Sequence, residues 1–227
     1  MGFWSMIAAT VMLAAIVSAQ APHESPTMVL PIAGVPLSVE KIEEYVSKSP
    51  DGTSATKISK SKYYRDAAGR MRTEAEEPNS ADGSLRAIVL GNPIDGFIAV
   101  LEPQAKLAHR VKFPKSNSTE GWGIGAGPNG LVGVTGKTKR KTEDLGKQTI
   151  EGVEFEGTRT TTTSDEQPSL VAVDELWMSK ELGLIGLVKH SGPDSEMTSR
   201  IQNVDRAVPD STLFVIPADY RIRDMTP

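Results

Sequence analysis

Hydrophobic and polar residues alternate with a period of two in short segments throughout the chain beyond residue 37. In Leu107–Phe113, for example, the odd positions form the apolar side of a predicted half-buried strand, and Ala, Arg and Lys lie between them. Turn sequences such as Ser49–Gly52 and Asp66–Gly69 separate the segments. No apolar stripe of period 3.6 is long enough for an extended helix. The pattern predicts a mainly β fold, a single antiparallel sheet built from successive hairpins.

Two segments are candidates for departures from this pattern. In Ser38–Lys48 the apolar positions fit either a helix or a strand, and the tight turn that follows favours the strand. Near the C-terminus, Pro209–Ser211 can cap a short helical turn that ends near Phe214. We therefore expect one or two short helical segments at most.

The N-terminus has the features of an export signal. Residues 1–19 contain no charged side chain, and the apolar run ends in Val17-Ser18-Ala19, which suits cleavage after Ala19. The alternative is a retained membrane anchor, but polar residues interrupt the stretch and no cationic residue flanks it. Residues 20–36 contain four prolines and are predicted to be an extended leader. The chain is therefore predicted to be periplasmic or secreted.

The rest of the chain, 37–224, has a length typical of one β domain. Within it, residues 114–142 are rich in Gly, Ser, Asn and Lys and are predicted to form a long loop. This range contains the only notable charge run, Lys137, Lys139, Arg140 and Lys141. We interpret the run as solvated, with contact to lipid headgroups or an acidic partner as the alternative.

Composition argues against several function classes. The chain has no cysteine, so disulfides, thiolate catalysis and cysteine metal sites are excluded. The net charge of −4 argues against a nucleic-acid partner. No pair of histidines has metal-binding spacing, and Gly125–Gly130 matches G-x-G-x-x-G without the flanking strand and helix that phosphate binding requires. We predict no metal and no other cofactor.

Catalytic residues are not predicted either. Adjacent carboxylates such as Glu43–Glu44 and Asp174–Glu175 would point to opposite faces of a strand, so we interpret them as solvated charges. His109 lies on the apolar side of its strand and is predicted to be a hydrogen-bonded core residue, whereas His190 lies beside a turn. A hydrolase would need one of these histidines beside a serine and a carboxylate in a cleft. We therefore predict that the protein is not an enzyme.

Three blocks of sequence resemble a family of uncharacterised secreted bacterial proteins: Tyr63–Glu74, Glu143–Thr160, and Glu175–Ser191 together with Pro209–Tyr220. This resemblance supplies no activity and no catalytic residues. The succession of hairpins and the closing segment Leu213–Pro217 are also similar to the outer-membrane lipoprotein carrier fold of the LolA and LolB type. That similarity implies a strongly curved half-barrel over an apolar cavity.

Two functions remain open on these grounds. The first is a non-catalytic binding module in the cell envelope, with a lipid or a lipoprotein acyl chain on an apolar face. The proposed face consists of Leu107, Val111, Phe113, Val153, Phe155 and Trp177. The alternative for these residues is that they simply fill the core. The second function is an interaction or sensor protein that binds an envelope polypeptide through a sheet edge or the 114–142 loop. Membrane contact is expected only through an uncleaved leader or the basic loop.

Overall fold

A computed structural model describes residues 32–113 and 137–226 of the chain. The predicted signal peptide and most of both the predicted leader and the predicted loop lie outside these ranges. Within them, no helix is long and apolar enough to cross a membrane.

The described residues form twelve strands and one short 3-10 helix. The strands are β1 (Leu37–Lys48), β2 (Ser54–Arg65), β3 (Met71–Glu76), β4 (Leu85–Asn92), β5 (Phe97–Glu102), β6 (Leu107–Lys112), β7 (Thr138–Ile150), β8 (Val153–Ser164), β9 (Val171–Ser179), β10 (Leu184–Ser191), β11 (Ser195–Asp205) and β12 (Arg221–Met225). The 3-10 helix spans Ser211–Phe214.

All twelve strands belong to one curled, open sheet in the order β12-β6-β5-β4-β3-β2-β1-β11-β10-β9-β8-β7. Two meanders, β1–β6 and β7–β11, are joined where β1 pairs with β11. Every pairing is antiparallel except that of β12 with β6. The predicted fold class is thus confirmed, because the period-two pattern and the turns specify local hairpins.

The structure decides the conformation of the two segments that the sequence left ambiguous. Ser38–Lys48 lies in β1 and is a strand, followed by a turn in which Gly52 has φ 84°. At the C-terminus, Asp210 caps the 3-10 helix by accepting a hydrogen bond from the backbone N–H of Thr212 at 2.8 Å. The predicted short helical turn is confirmed.

The predicted loop boundary is wrong at its C-terminal end. Strand β7 begins at Thr138, so the cations 139–141 lie in a strand and pair with the threonines 161–163 of β8. The threonine run favours a strand and provides a long partner for β7. Because β7 is an edge strand, its side chains can be polar on both faces, which removes the alternation that marks other strands.

The face of the sheet that carries Leu37, Val39 and Tyr63 is called here the inner face, and these three residues belong to the main core. This core joins residues of β1, β2 and β8–β11 with Leu182 of the β9–β10 turn. Arg65 of β2 donates from Nη2 to the carbonyl of Leu182 at 2.8 Å. In the sheet β2 and β10 are three strand spacings apart, about 14 Å if flat, so the turn folds over the inner face toward β2.

The opposite, outer face has its own apolar cluster on β4–β6. Its buried members are Ile88, Leu90, Ala99, Leu101 and Ala108. Ile216 and Tyr220 from the C-terminal segment pack against this cluster, and Phe214 is 1% exposed. The tail then adds to the edge of β6 as β12, where Arg110 binds Asp224 through two hydrogen bonds. The C-terminal segment therefore covers the outer face of β4–β6.

Candidate functional site

The inner face of β3–β6 is largely apolar. Side chains of directly paired residues on neighbouring strands project to the same face of the sheet. The pairings from β2 to β6 therefore show which side chains of β3–β6 lie on the inner face. The members, called here the inner wall, are Met71, Val89, Ile98, Val100, Leu107 and Val111. Met71, Val100 and Val111 are buried, and the other three are half-buried.

Strands β4 and β5 are apolar on both faces, as their nearly continuous hydrophobic sequences indicate. Such strands require a cover on each side. On the outer face that cover is the C-terminal segment. Among the described elements, β3–β6 have their main contacts with their sheet neighbours and the 3-10 helix. Met71, Val100 and Val111 of the inner wall are nevertheless buried. The part of the inner wall that is open to a ligand is therefore its half-buried members, Val89, Ile98 and Leu107.

The six residues predicted as a ligand face fall into two separate groups. Leu107 and Val111 lie on the inner wall, and Phe113 directly follows β6 and is half-buried. Val153, Phe155 and Trp177 belong to β8 and β9, near the other end of the sheet, and are packed in the main core.

His109 is a polar side chain on the same face as the inner wall, as are Thr73 and Glu102. His109 projects between Leu107 and Val111, opposite Val100 of β5. Its Nε2 lies 3.0 Å from Oε1 of Glu102. Its Nδ1 is buried and has no hydrogen-bond partner among the described residues. The predicted position on the apolar side is confirmed, and Glu102 accounts for one of the two ring nitrogens.

A second set of polar side chains crosses the inner face on β9, β10, β11 and β1. His190 is 7% exposed, and its Nδ1 lies 2.6 Å from Oδ1 of Asp174. Lys41 and Glu43 are 4% and 2% exposed, with Nζ and Oε2 3.2 Å apart. Ser199, also buried, pairs directly with Glu43. These five residues are called here the polar band.

The interpretation of Glu43 and Asp174 as solvated charges is wrong. Their neighbours Glu44 and Glu175 do point to the opposite face, as the strand geometry predicts, and Glu175 binds Arg159 there. Each of these two pairs thus has one member on the inner face. A buried charge is costly unless it is paired, which explains why Lys41 accompanies Glu43. In the sequence, Glu43 follows Leu37 and Val39 at alternate positions of β1, which places it on their face but does not show that this face is closed.

On the outer face, charges of β7–β10 form a ladder of alternating sign. Lys141 contacts Glu143 at 2.9 Å, and Glu175 lies between Arg159 and Lys189. The hydrogen bond from Lys141 lowers the pKa of Glu143, and the hydrogen bond to Glu175 raises the pKa of Arg159. These charges are satisfied by one another at the surface, so the ladder stabilises the sheet weakly and offers no site.

Within the described ranges, no three His, Asp or Glu side chains come together as a potential metal site. The inner wall with His109, and not a cluster of ionisable groups, is thus the candidate functional site.

Comparison with known proteins supports a distant resemblance of fold. No protein-family model matches the chain, and no curated protein matches its sequence. Among solved structures, MucB is similar with a TM-score of 0.43 and 12% identity over 84% of this chain, which spans 60% of MucB. A LolA superfamily protein from Nitrosomonas europaea has a TM-score of 0.35 and 8% identity over 82% of this chain and 92% of its own.

The Mycobacterium tuberculosis lipoprotein LppX is similar with a TM-score of 0.32 and 12% identity, over 76% of this chain and 88% of LppX. The predicted similarity to the LolA type of fold is thus confirmed as a distant one.

Proposed function

We propose that this chain is a non-catalytic binding protein of the bacterial cell envelope that holds an apolar ligand against the inner wall. The proposed ligand is a lipid or a lipoprotein acyl chain. The observation that supports this is the largely apolar inner face of β3–β6, where Val89, Ile98 and Leu107 are half-buried, whereas the C-terminal segment covers the outer face. Burial of apolar surface at about 25 cal/mol per Å² provides affinity without a catalytic group.

The ligand surface is smaller than the predicted one. Since Val153, Phe155 and Trp177 already pack in the core, the proposal retains Leu107, Val111 and Phe113 and adds their neighbours on β3–β5. Export through the segment 1–19 remains part of the proposal, because an envelope lipid is available to a protein there.

The test is native mass spectrometry of protein purified from the envelope, with lipid analysis of any retained molecule. Val100→Phe would fill space next to the inner wall and so reduce the amount of retained lipid. Val208→Phe, at a side chain that is 70% exposed, would leave the amount of retained lipid unchanged. Displacement of 1-N-phenylnaphthylamine from both variants gives the same comparison in solution. Absence of lipid together with no binding of the fluorophore would refute the proposal.

The free edge of β7 supports a second candidate, the binding of an extended polypeptide. Within the described residues, β7 pairs with β8 alone, and Lys139 and Lys141 have side chains that are 84% and 75% exposed. Unpaired backbone groups on an edge can pair with an added strand. The lysines disfavour a second copy of β7 and favour a peptide with acidic residues.

An acidic β-forming peptide and its alternately N-methylated counterparts would test this candidate by fluorescence anisotropy. If the peptide adds as a strand, the N-methylated peptide whose methyl groups lie on the edge that faces β7 should not bind. The double variant Lys139→Glu, Lys141→Glu should bind the unmethylated peptide more weakly. Lys147→Glu, beyond the irregularity at Asp144–Gly146, is the matched control. Equal binding of all peptides would exclude strand addition.

A further inference from the structure

We propose that His109 recognises a hydrogen-bond donor on the ligand, so that the preferred ligand is an apolar molecule with a hydroxyl or amide N–H group. This inference rests on the proposed binding of an apolar ligand to the inner wall. It adds the chemical class of that ligand.

The hydrogen bonds of His109 determine what its free nitrogen can do. Nε2 lies 3.0 Å from a carboxylate oxygen of Glu102, which can only accept when ionised, so Nε2 carries a proton. In the neutral imidazole with the proton on Nε2, Nδ1 presents a lone pair and accepts a hydrogen bond. The carboxylate thereby fixes the tautomer that makes Nδ1 an acceptor.

The surroundings of Nδ1 explain why a ligand group would matter there. The atom is buried and has no partner among the described residues. The residues beside it on the same face, Leu107, Val111 and Val100, provide no polar side-chain group. A buried acceptor without a partner carries a desolvation cost, which a donor from the ligand would remove. An alkyl chain on the inner wall would bring such a donor next to Nδ1 if it carried one.

Glu102 is suited to hold this arrangement because it is the last residue of β5 and its side chain is 48% exposed. Its charge stays partly in water while the imidazole extends into the apolar surface. His109 itself is 11% exposed at the side chain, so the imidazole is little hydrated. The pair thus places one acceptor within an otherwise apolar wall.

The experiment uses the full chain and two matched probes, 1-dodecanol and its methyl ether. The ether retains the oxygen and the chain but lacks the O–H donor. Each probe displaces 1-N-phenylnaphthylamine from the protein, and the ratio of the two dissociation constants is measured. A net hydrogen bond predicts that the alcohol binds about three- to tenfold more tightly than the ether.

His109→Phe, which keeps the ring and removes both nitrogens, is expected to abolish the preference while both probes still bind. Val208→Met, at a side chain that is 70% exposed and lies outside the inner wall, is the control and should leave the ratio unchanged. Thermal unfolding monitored by circular dichroism confirms that both variants fold.

The outcomes separate the two proposals. If both probes bind the wild type equally, or the ether binds more tightly, the role of His109 is refuted and the binding of an apolar ligand stands. If a preference for the alcohol persists in His109→Phe, His109 is not its source. If neither probe displaces the fluorophore, the proposed function itself fails.

Discussion

Trp177 of β9 lies directly across from Gly157 of β8, and its indole ring occupies the space in which a Cβ of residue 157 would lie. A Cβ built there would be 2.6 Å from Cζ3 of the ring. Phe155 covers Gly186 of β10 in the same way. Glycine inside a strand is unfavourable unless another group approaches the backbone closely. Here the two glycines allow two aromatic rings to lie flat on the sheet and fill the main core.

Gly157→Ala is expected to destabilise the protein by about 1–3 kcal/mol, because the added methyl group would displace a ring that is packed on its other side. Urea unfolding followed by circular dichroism measures this change. The matched control is the same substitution in a Trp177→Leu background. There the additional cost of Gly157→Ala should largely disappear, and an unchanged cost would show that the ring is not what limits residue 157.

The assignment of Trp177 to a ligand face shows where sequence reasoning stops. The alternation in Leu170–Met178 correctly predicts a strand and a face for Trp177. Whether that face is open depends on the residue opposite, and register between strands is not visible in a single sequence. The hairpins could be predicted because their turns are local, whereas the pairing of β1 with β11 brings together residues about 150 positions apart.

The same reasoning explains which parts of the candidate site could be predicted from the sequence. His109 could be placed on the apolar side of β6 from local alternation. Its partner Glu102 lies on the other strand of the β5–β6 hairpin. The contact between the two residues could therefore be predicted only from the register of that hairpin. The polar band could not be predicted, because Glu43 meets Ser199 only through the long-range β1–β11 pairing. Which polar residues meet on the inner face therefore depends on this pairing, which the composition of the chain does not reveal.

Arg65→Met is expected to destabilise the fold by about 2 kcal/mol. Arg65 is 0% exposed and donates from Nε to the carbonyl of Val35 at 2.7 Å and from Nη2 to that of Leu182. Burial lowers the pKa of Arg65 to about 10, so the substitution removes a desolvation cost. It also leaves two acceptors without these donors, and we expect that loss to be the larger effect.

Chemical denaturation measures the change in Arg65→Met, and Arg159→Met is its control. Arg159 is also ion-paired, but its side chain is 41% exposed on the outer face, so its loss should cost clearly less than that of Arg65. Equal effects of the two substitutions would argue against a specific role for the bonds to Val35 and Leu182.

Two adjacent glutamates provide a test of the inner face. Glu43→Ala removes the carboxylate next to the buried ammonium of Lys41 and is expected to cost about 3 kcal/mol. Glu44→Ala changes an exposed side chain of the same strand and should remain within about 0.5 kcal/mol of wild type. Thermal unfolding of the two variants gives the comparison. Similar melting temperatures would mean that Glu43 is accessible to water in solution.

The acid sensitivity of the fold is expected to depend in part on Glu40. Its Oε2 accepts hydrogen bonds from Gln202 at 3.1 Å and from Asn203 at 2.8 Å. These bonds, with Lys62 as a smaller contributor, lower the pKa of Glu40 below its ordinary value of 4.5. The folded state thus binds this proton less readily than the unfolded state does. The resulting stabilisation is complete above pH 4.5 and is lost as the pH falls through the lowered folded-state pKa.

Glu40→Gln removes the titrating group and should cost about 0.5 kcal/mol at pH 7, since the side chain is partly exposed. The difference from wild type should shrink as the pH falls from 5 to about 3, which urea unfolding at each pH would show. Because neutral amides are the main cause of the shift, 0.5 M NaCl should preserve most of the effect, although it screens Lys62. A difference that stays constant with pH would mean that Gln202 and Asn203 do not distinguish the ionised from the protonated carboxyl group.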